Sequence, residues 1–271
     1  MKKLITIITI ALFTSSCEEE KDKPETEPSI APVSTVKTIA YSVIGEYPHD
    51  TASFTQGIEL HNGKLYESAG DFENSAMQFG EVRTKVLKID KKHKMGSPTT
   101  FAEGLTFLKG KWYQLTWQSH EVFVYSENDI TKPIEKLTWA LDGWGITNDG
   151  TDLIITSGGS DLHFVDPATF KIKNSVHIHD DAGPVDSVNE LEYVDGFVWG
   201  NIWQTNDIIK IDPKSGAVVG KMNFSNKLLN SQDLLGEGGE PTMNGIAYDS
   251  TTKTFFVTGK RWPKIFEVRL N

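Results

Sequence analysis

Glu103 stands among residues that could make a carboxylate a proton carrier. It opens the hairpin pattern "FAEGLTFLKGKWYQLTWQ" (101–118), whose second arm returns fourteen residues later with Trp117. Packing a hairpin requires neither a carboxylate nor a bare indole at these places. Four other segments begin alike: "TQGIELHNGKLYESAG", "GWGITNDGTDLIITSG", "VNELEYVDGFVWGNIWQ" and "MNGIAYDSTTKTFFVTGK". Gln56, Trp144, Asn189 and Asn244 hold the place of Glu103, and Gly70, Gly158, Trp203 and Thr258 hold that of Trp117. Lys260 follows two residues after the last of these. An acid walled by indoles suits general acid–base chemistry, because an apolar surround raises a carboxyl pKa toward neutrality. Lys260 and the amides of Asn189 and Gln56 are candidate donors to a developing oxyanion. The plainer readings are a carboxylate that caps backbone N–H groups, amides that satisfy loop backbone, and a solvated lysine.

These residues need a scaffold that returns equivalent positions to one place. Each segment has a leading residue, then Gly (Glu190 in the fourth), an apolar alternation, a polar turn and a second alternating run. The leading residues recur at intervals of 41 to 55, the period of β-propeller blades of about four strands each. Short strands with close turns, and almost no stretch at helical period, agree. The expected fold is all-β, a five-bladed propeller over 36–271, with the leading residues ringing one mouth of the central channel. "TVKTIAYSVIGEYPHD" and "KIFEVRLN" both carry strand pattern, so pairing them in one blade would close the ring and remove open edges. "NKLLNSQDLLGEGGEPT" reads as a loop or short helix over one face. Trp112, Trp139, Trp199 and Trp262 read as wedges between blades.

Other chemistries find less support. The formal charge of −10 argues against nucleic-acid binding, for which a basic patch is expected. His177 and His179 in "HIHDD" could share one face of a strand, but no third ligand at diagnostic spacing accompanies them, so no metal site is expected. His61 and His93 read as turn residues. There is no phosphate-cradling glycine loop before a helix and no G-x-S-x-G elbow.

The N-terminus reads as a processing signal. Lys2 and Lys3 precede an apolar run from Leu4 to Phe13 and small residues that end at Cys17, the chain's single cysteine. Residues 1–16 are expected to be a lipoprotein signal peptide, too short for a comfortable membrane span, with Cys17 as the lipidation site. Residues 17–35, charged and proline-bearing, are expected to be a disordered tether. The acidic "CEEEKD" at its start resembles surface-export tethers of some Gram-negative lipoproteins, so the expected location is the cell envelope of such a bacterium, periplasmic or on the outer surface, with the membrane touched only through the lipid; a monomer is expected.

The motifs "FTQGIEL", "LYESAG", "FAEGLT", "DGWGITNDG", "NELEYVDGFVWGNIWQTNDIIKID" and "NGIAYD…FFVTGKRWPKIFEV" resemble the plant-type glutaminyl-peptide cyclotransferases, five-bladed propellers, from about residue 36 to the C-terminus. The resemblance implies conversion of an N-terminal glutamine of a peptide or protein to pyroglutamate, with loss of ammonia and without cofactor or catalytic metal. Carried over by motif, it implies a pocket of Phe54, Gln56, Phe101, Glu103, Trp117, Trp144, Asn189, Trp203 and Lys260. "DFENSAMQFGEVRTK" departs from the family pattern, which leaves preference beyond the first substrate residue open. Two other readings of the ring stand beside this one. One is a metal-dependent propeller lactonase, whose calcium site would need more carboxylates than the ring's one. The other is a non-catalytic surface lipoprotein that binds peptide ends or glycans at its aromatic mouth.

Overall fold

The computed structural model describes residues 35–95, 99–224, 228 and 242–271. The expected signal segment, the lipid attachment at Cys17, all but the last residue of the tether and most of the segment placed over one face fall outside these residues.

Each repeated hairpin becomes the two inner strands of a four-stranded antiparallel sheet, and five such sheets form the blades of a propeller. From the channel outward, blade 1 runs Thr55–His61, Lys64–Ala69, Ala76–Glu81 and Lys88–Lys94, and blade 2 runs Ala102–Leu108, Lys111–Thr116, Glu121–Ser126 and Glu135–Thr138. Blade 3 is Ile146–Asn148, Leu153–Ile155, Asp161–Val165 and Ile172–His177; blade 4 is Val188–Val194, Phe197–Ile202, Asp207–Ile211 and Val218–Asn223. Blade 5 is Met243–Asp249, Thr254–Gly259, Lys264–Leu270 and, from the other end of the chain, Tyr41–Pro48. Tyr41 lies opposite Leu270 and Pro48 opposite Lys264, so the two ends of the domain close the ring as expected. Two-residue turns explain the recurring polar-Gly pairs. Asn62-Gly63, Lys109-Gly110 and Asp195-Gly196 all take positive φ at both residues, a geometry whose twist matches that of the strands it joins.

Packing between blades follows from the alternation. A separate apolar cluster fills each interface between successive blades, including the one between blades 5 and 1. Trp112, Trp139, Trp199 and Trp262 are all buried, as their reading as wedges requires; truncating such a residue to Ala typically costs about 3–5 kcal/mol. The glycine after each leading residue has a different cause. A Cβ on Gly104 would lie 2.6 Å from the Trp144 carbonyl oxygen, and one on Gly145 would lie 1.9 Å from that of Asn189. Inner strands of neighbouring blades therefore meet backbone to backbone, with Gly104 N–H donating to Trp144 O at 2.8 Å.

Some expectations need correction. Lys37–Thr38 pairs in parallel with the outer strand of blade 4, and the Thr35 hydroxyl donates to Asp181 at 2.7 Å, so residue 35 is already docked rather than part of a tether. His61 ends the first strand of blade 1 and His93 lies within the fourth, not in turns. His177 and His179 do not share a strand: His177 closes the outer strand of blade 3 and His179 opens a two-residue strand paired with Gly183–Pro184.

Candidate active site

In four blades the ring residue is the second residue of the inner strand, and in blade 3 Trp144 stands two residues before Ile146–Asn148. Glu103 is the second residue of Ala102–Leu108, where a bulge between Ala102 and Leu105 interrupts pairing with the second strand. Its backbone is tied down from behind. Tyr125 Oη donates to Gln114 Oε1 (3.1 Å), Gln114 Nε2 donates to Ser68 Oγ (2.8 Å), and Ser68 Oγ donates to the Glu103 carbonyl. The carboxylate is held from one side: Gln56 Nε2 donates to Glu103 Oε1 at 3.1 Å. Asn244 Nδ2 in turn donates to Gln56 Oε1 (3.2 Å) and to Thr55 O (3.0 Å), fixing which end of the Gln56 amide faces the acid.

A pocket of about 350 Å³ opens above the acid, lined by Phe54, Gln56, Phe101, Glu103, Trp117, Trp144, Asn189, Trp203 and Lys260. All the pocket residues named from sequence are therefore brought together. Of the ring, Asn244 alone does not line the pocket; it is buried beneath Gln56 and acts through it.

Two aromatic walls flank Glu103. On the side of blades 1 and 2, Phe101 meets Phe54 (6.0 Å, 84°) and Trp117 (6.1 Å, 70°) edge to face. On the side of blades 3 and 4, Trp144 and Trp203 meet at 5.7 Å and 81°. The glycines opposite Trp117 and Trp203 in the repeat now have a reason. A Cβ at Gly70 would lie 2.2 Å from the Phe101 ring, and one at Gly158 would lie 2.7 Å from the Trp144 indole. Where the returning strand carries glycine, the neighbouring aromatic occupies the space.

Lys260 is buried, with Nζ 4.6 Å from the centre of the Phe54 ring, a cation–π distance. The turn that carries it is anchored to blade 1. Arg261 N–H donates to Ser53 O at 2.8 Å, and His49 Nδ1 lies 2.7 Å from Trp262 O while its Nε2 lies 3.0 Å from Glu67 Oε1. Both ring nitrogens face acceptors, the pattern of an imidazolium. Burial alone would lower the His49 pKa, but Glu67 and the Trp262 carbonyl raise it above its ordinary value. Glu67, which also accepts from Thr55 and Gln78, is held below its usual range against the opposing effect of burial. This buried pair staples blade 5 to blade 1 beside Lys260, and nothing in the spacing of His49 and Glu67 announces it.

Three influences act on the charge of Glu103. Burial pushes its pKa well above the usual carboxylate range, the Lys260 charge pulls it down, and Asp142 adds to the rise. Asn189 is buried, and no hydrogen bond links its side-chain amide to another described residue; its Oδ1 is a buried atom without a partner. An unengaged amide at a pocket wall can meet a substrate amide. Among the described residues no group of three His, Cys, Asp or Glu side chains is placed to hold a metal ion.

Comparisons with known proteins bear on the family of the chain. A family model described as glutamine cyclotransferase matches residues 7–270. A glutaminyl-peptide cyclotransferase of Arabidopsis thaliana is 36% identical over 229 residues, 84% of this chain and 70% of that protein. The crystal structure of Myxococcus xanthus glutaminyl cyclase superposes with a TM-score of 0.74 at 30% identity, covering 87% of this chain and 98% of the other.

Proposed function

This chain belongs to the glutamine cyclotransferase family, and from that premise we propose that the pocket around Glu103 cyclises N-terminal glutamine of peptides and proteins to pyroglutamate, with Glu103 as the proton shuttle. The observation that carries the assignment of roles is the convergence of one buried acid, one buried lysine and five aromatic rings on a single pocket.

The reaction is an intramolecular acyl transfer. The α-amino nitrogen attacks the side-chain amide carbon, a C–N bond closes a five-membered lactam, and the original C–NH₂ bond breaks to release ammonia. Nucleophile and electrophile are already tethered, so the pocket must select the folded conformer rather than bring two molecules together. The walls Phe54–Phe101–Trp117 and Trp144–Trp203 hold that conformer and exclude water. Glu103, as carboxylate, takes the proton that the amine loses on attack and returns it to the departing nitrogen. The raised pKa makes Glu103 a stronger base for the first half of this cycle than an ordinary carboxylate would be.

Lys260 and the unengaged Asn189 amide donate to the amide oxygen as it gains charge; one such donor is typically worth about 3–4 kcal/mol. Gln56, fixed by Asn244, keeps the carboxylate aimed. No step needs a metal, and the pocket offers a single carboxylate as an anionic ligand, which disfavours the lactonase reading. Cys17 remains our proposed lipid attachment site, and the envelope our proposed location.

The test is ammonia release from a Gln-initiated peptide by the soluble domain, with an N-acetylated peptide as control and with chelator present. Release from the free-amine peptide alone, unchanged by chelator, is expected. Equal release from both peptides would contradict attack by the α-amine, and inhibition by chelator would contradict a metal-free reaction.

A further inference from the structure

The aromatic wall on the side of blades 1 and 2 does not stop at the pocket rim. Phe72 lies in the connection between Lys64–Ala69 and Ala76–Glu81, within the stretch that departs from the family pattern. Its ring centre is 5.2 Å from that of Phe101 and 6.3 Å from that of Trp117, both pocket residues, yet the Phe72 side chain does not line the pocket. It is 53% exposed, the most exposed aromatic residue among the described ones. A single exposed phenylalanine is ordinary on a protein surface. One that extends a substrate-pocket wall by a further ring, outward, is a prepared apolar surface.

The connection that carries Phe72 is held in place. Ser75 N–H donates to Asp71 O (3.0 Å), Asp71 N–H donates to Ser75 Oγ (3.0 Å), and Glu73 N–H donates to Asp71 Oδ1 (2.8 Å). Ser75 Oγ also accepts from Ala102 N–H at 2.9 Å, which ties this loop to the strand that carries Glu103. Phe72 is therefore positioned relative to the acid before any substrate arrives, and a ligand that stacks on it would not have to order the loop first.

We infer that Phe72, with Trp117, forms the subsite for the second residue of the substrate peptide, and that this subsite prefers an aromatic or large apolar side chain. This rests on the cyclase reading above. With the glutamine side chain and α-amine held at Glu103, the first carbonyl must point toward the mouth, and the next Cα lies about 3.8 Å from the first. The second side chain thus leaves the pocket at its rim, where Phe72 and Trp117 present ring faces and edges at the separations typical of aromatic pairs. A glycine or a carboxylate there would leave Phe72 in water.

The experiment compares kcat/KM for three matched amidated tripeptides, Gln-Phe-Ala, Gln-Gly-Ala and Gln-Glu-Ala, with the wild-type domain and with Phe72→Ala and Phe72→Tyr. The wild type is expected to favour Gln-Phe over Gln-Gly by about tenfold, mostly through KM, given the usual strength of an aromatic pair plus apolar burial. Phe72→Ala should bring the Gln-Phe to Gln-Gly ratio close to one, and Phe72→Tyr should restore most of it. A ratio near one in the wild type, or one that Phe72→Ala leaves intact, overturns the subsite while the cyclase reading stands. Absence of cyclisation with all three peptides overturns both.

Discussion

Two layers of the same channel hold buried carboxylates, and their difference separates the acid we propose as proton shuttle from structural ones. At the mouth, Glu103 receives one amide hydrogen bond and borders an open pocket. One position further along the inner strands, Glu190 of blade 4 stands where the other blades carry glycine, and it reaches the backbone of blades 1 and 5. Its Oε1 accepts from Ile58 N–H (3.2 Å) and its Oε2 from Ile246 N–H (2.7 Å). Two positions further, Glu59 accepts from Thr106 and Phe107, and Glu192 from Tyr248. Burial raises the pKa of all four acids, against partial relief from their hydrogen-bond donors or, for Glu103, from Lys260. A raised pKa therefore does not by itself set Glu103 apart from the other three. The mouth differs in having open space, a buried cation and apolar walls around an acid whose second oxygen is left for a ligand.

The comparison can be broken most directly at its two acids. Glu103→Gln should lower kcat by about 10²–10⁴-fold, the usual worth of a general acid–base group, while the thermal melt is unchanged or raised because a buried charge has been removed. Ammonia release near the wild-type rate in that variant would end the assignment. Lys260→Met is expected to cost about 10²-fold in kcat, at the level of one oxyanion donor, measured by the same assay.

Glu190→Ala should do the reverse of Glu103→Gln. It strands two buried N–H groups, at about 1–3 kcal/mol each, so the melting temperature should fall while the folded fraction keeps a near-normal KM. If kcat falls and the melt does not, the two layers are not functionally separate.

pH sharpens the contrast further. Since the carboxylate form of Glu103 is the base, kcat/KM should rise with pH through a pKa above the ordinary 4.5, and this limb should be missing from Glu103→Gln. For the inner layer the effect is on stability. Glu59 has its pKa raised from 4.5 to about 7, chiefly by burial. A folded pKa above the unfolded one means that its favourable contribution is complete below pH 4.5 and is lost as pH rises through about 7. Glu59→Gln should therefore be more stable than wild type at pH 8, by on the order of 3 kcal/mol, and close to it at pH 4.5. A difference that does not change with pH would mean that Glu59 is not the titrating group.

Some of this was legible along the chain and some was not. The five hairpins, their turns and the closing pair of strands follow from local patterns: alternation, polar-Gly turns and a repeated leading residue. The register of the repeat was enough to bring Glu103, Trp117, Trp144, Asn189 and Trp203 to one mouth, and Phe54 and Phe101 came only with the family resemblance. The network behind Glu103, from Tyr125 through Gln114 to Ser68, was not readable, because each member looks like an ordinary strand residue until blades 1 and 2 pack. The same is true of His49 and Glu67, whose pairing depends on strands from opposite ends of the domain meeting in the ring. His177 and His179 misled in the opposite sense: they are close in sequence, but the strand ends between them.

Sequence alone determined how many blades form and which residue each blade offers to the channel mouth, because period, turn chemistry and alternation are properties of short stretches. Only the tertiary structure decided which acid faces open space and which is bound by backbone. That choice depends on donors and cations brought in by other blades, and a carboxylate's charge state is set by what surrounds it rather than by its place in the chain.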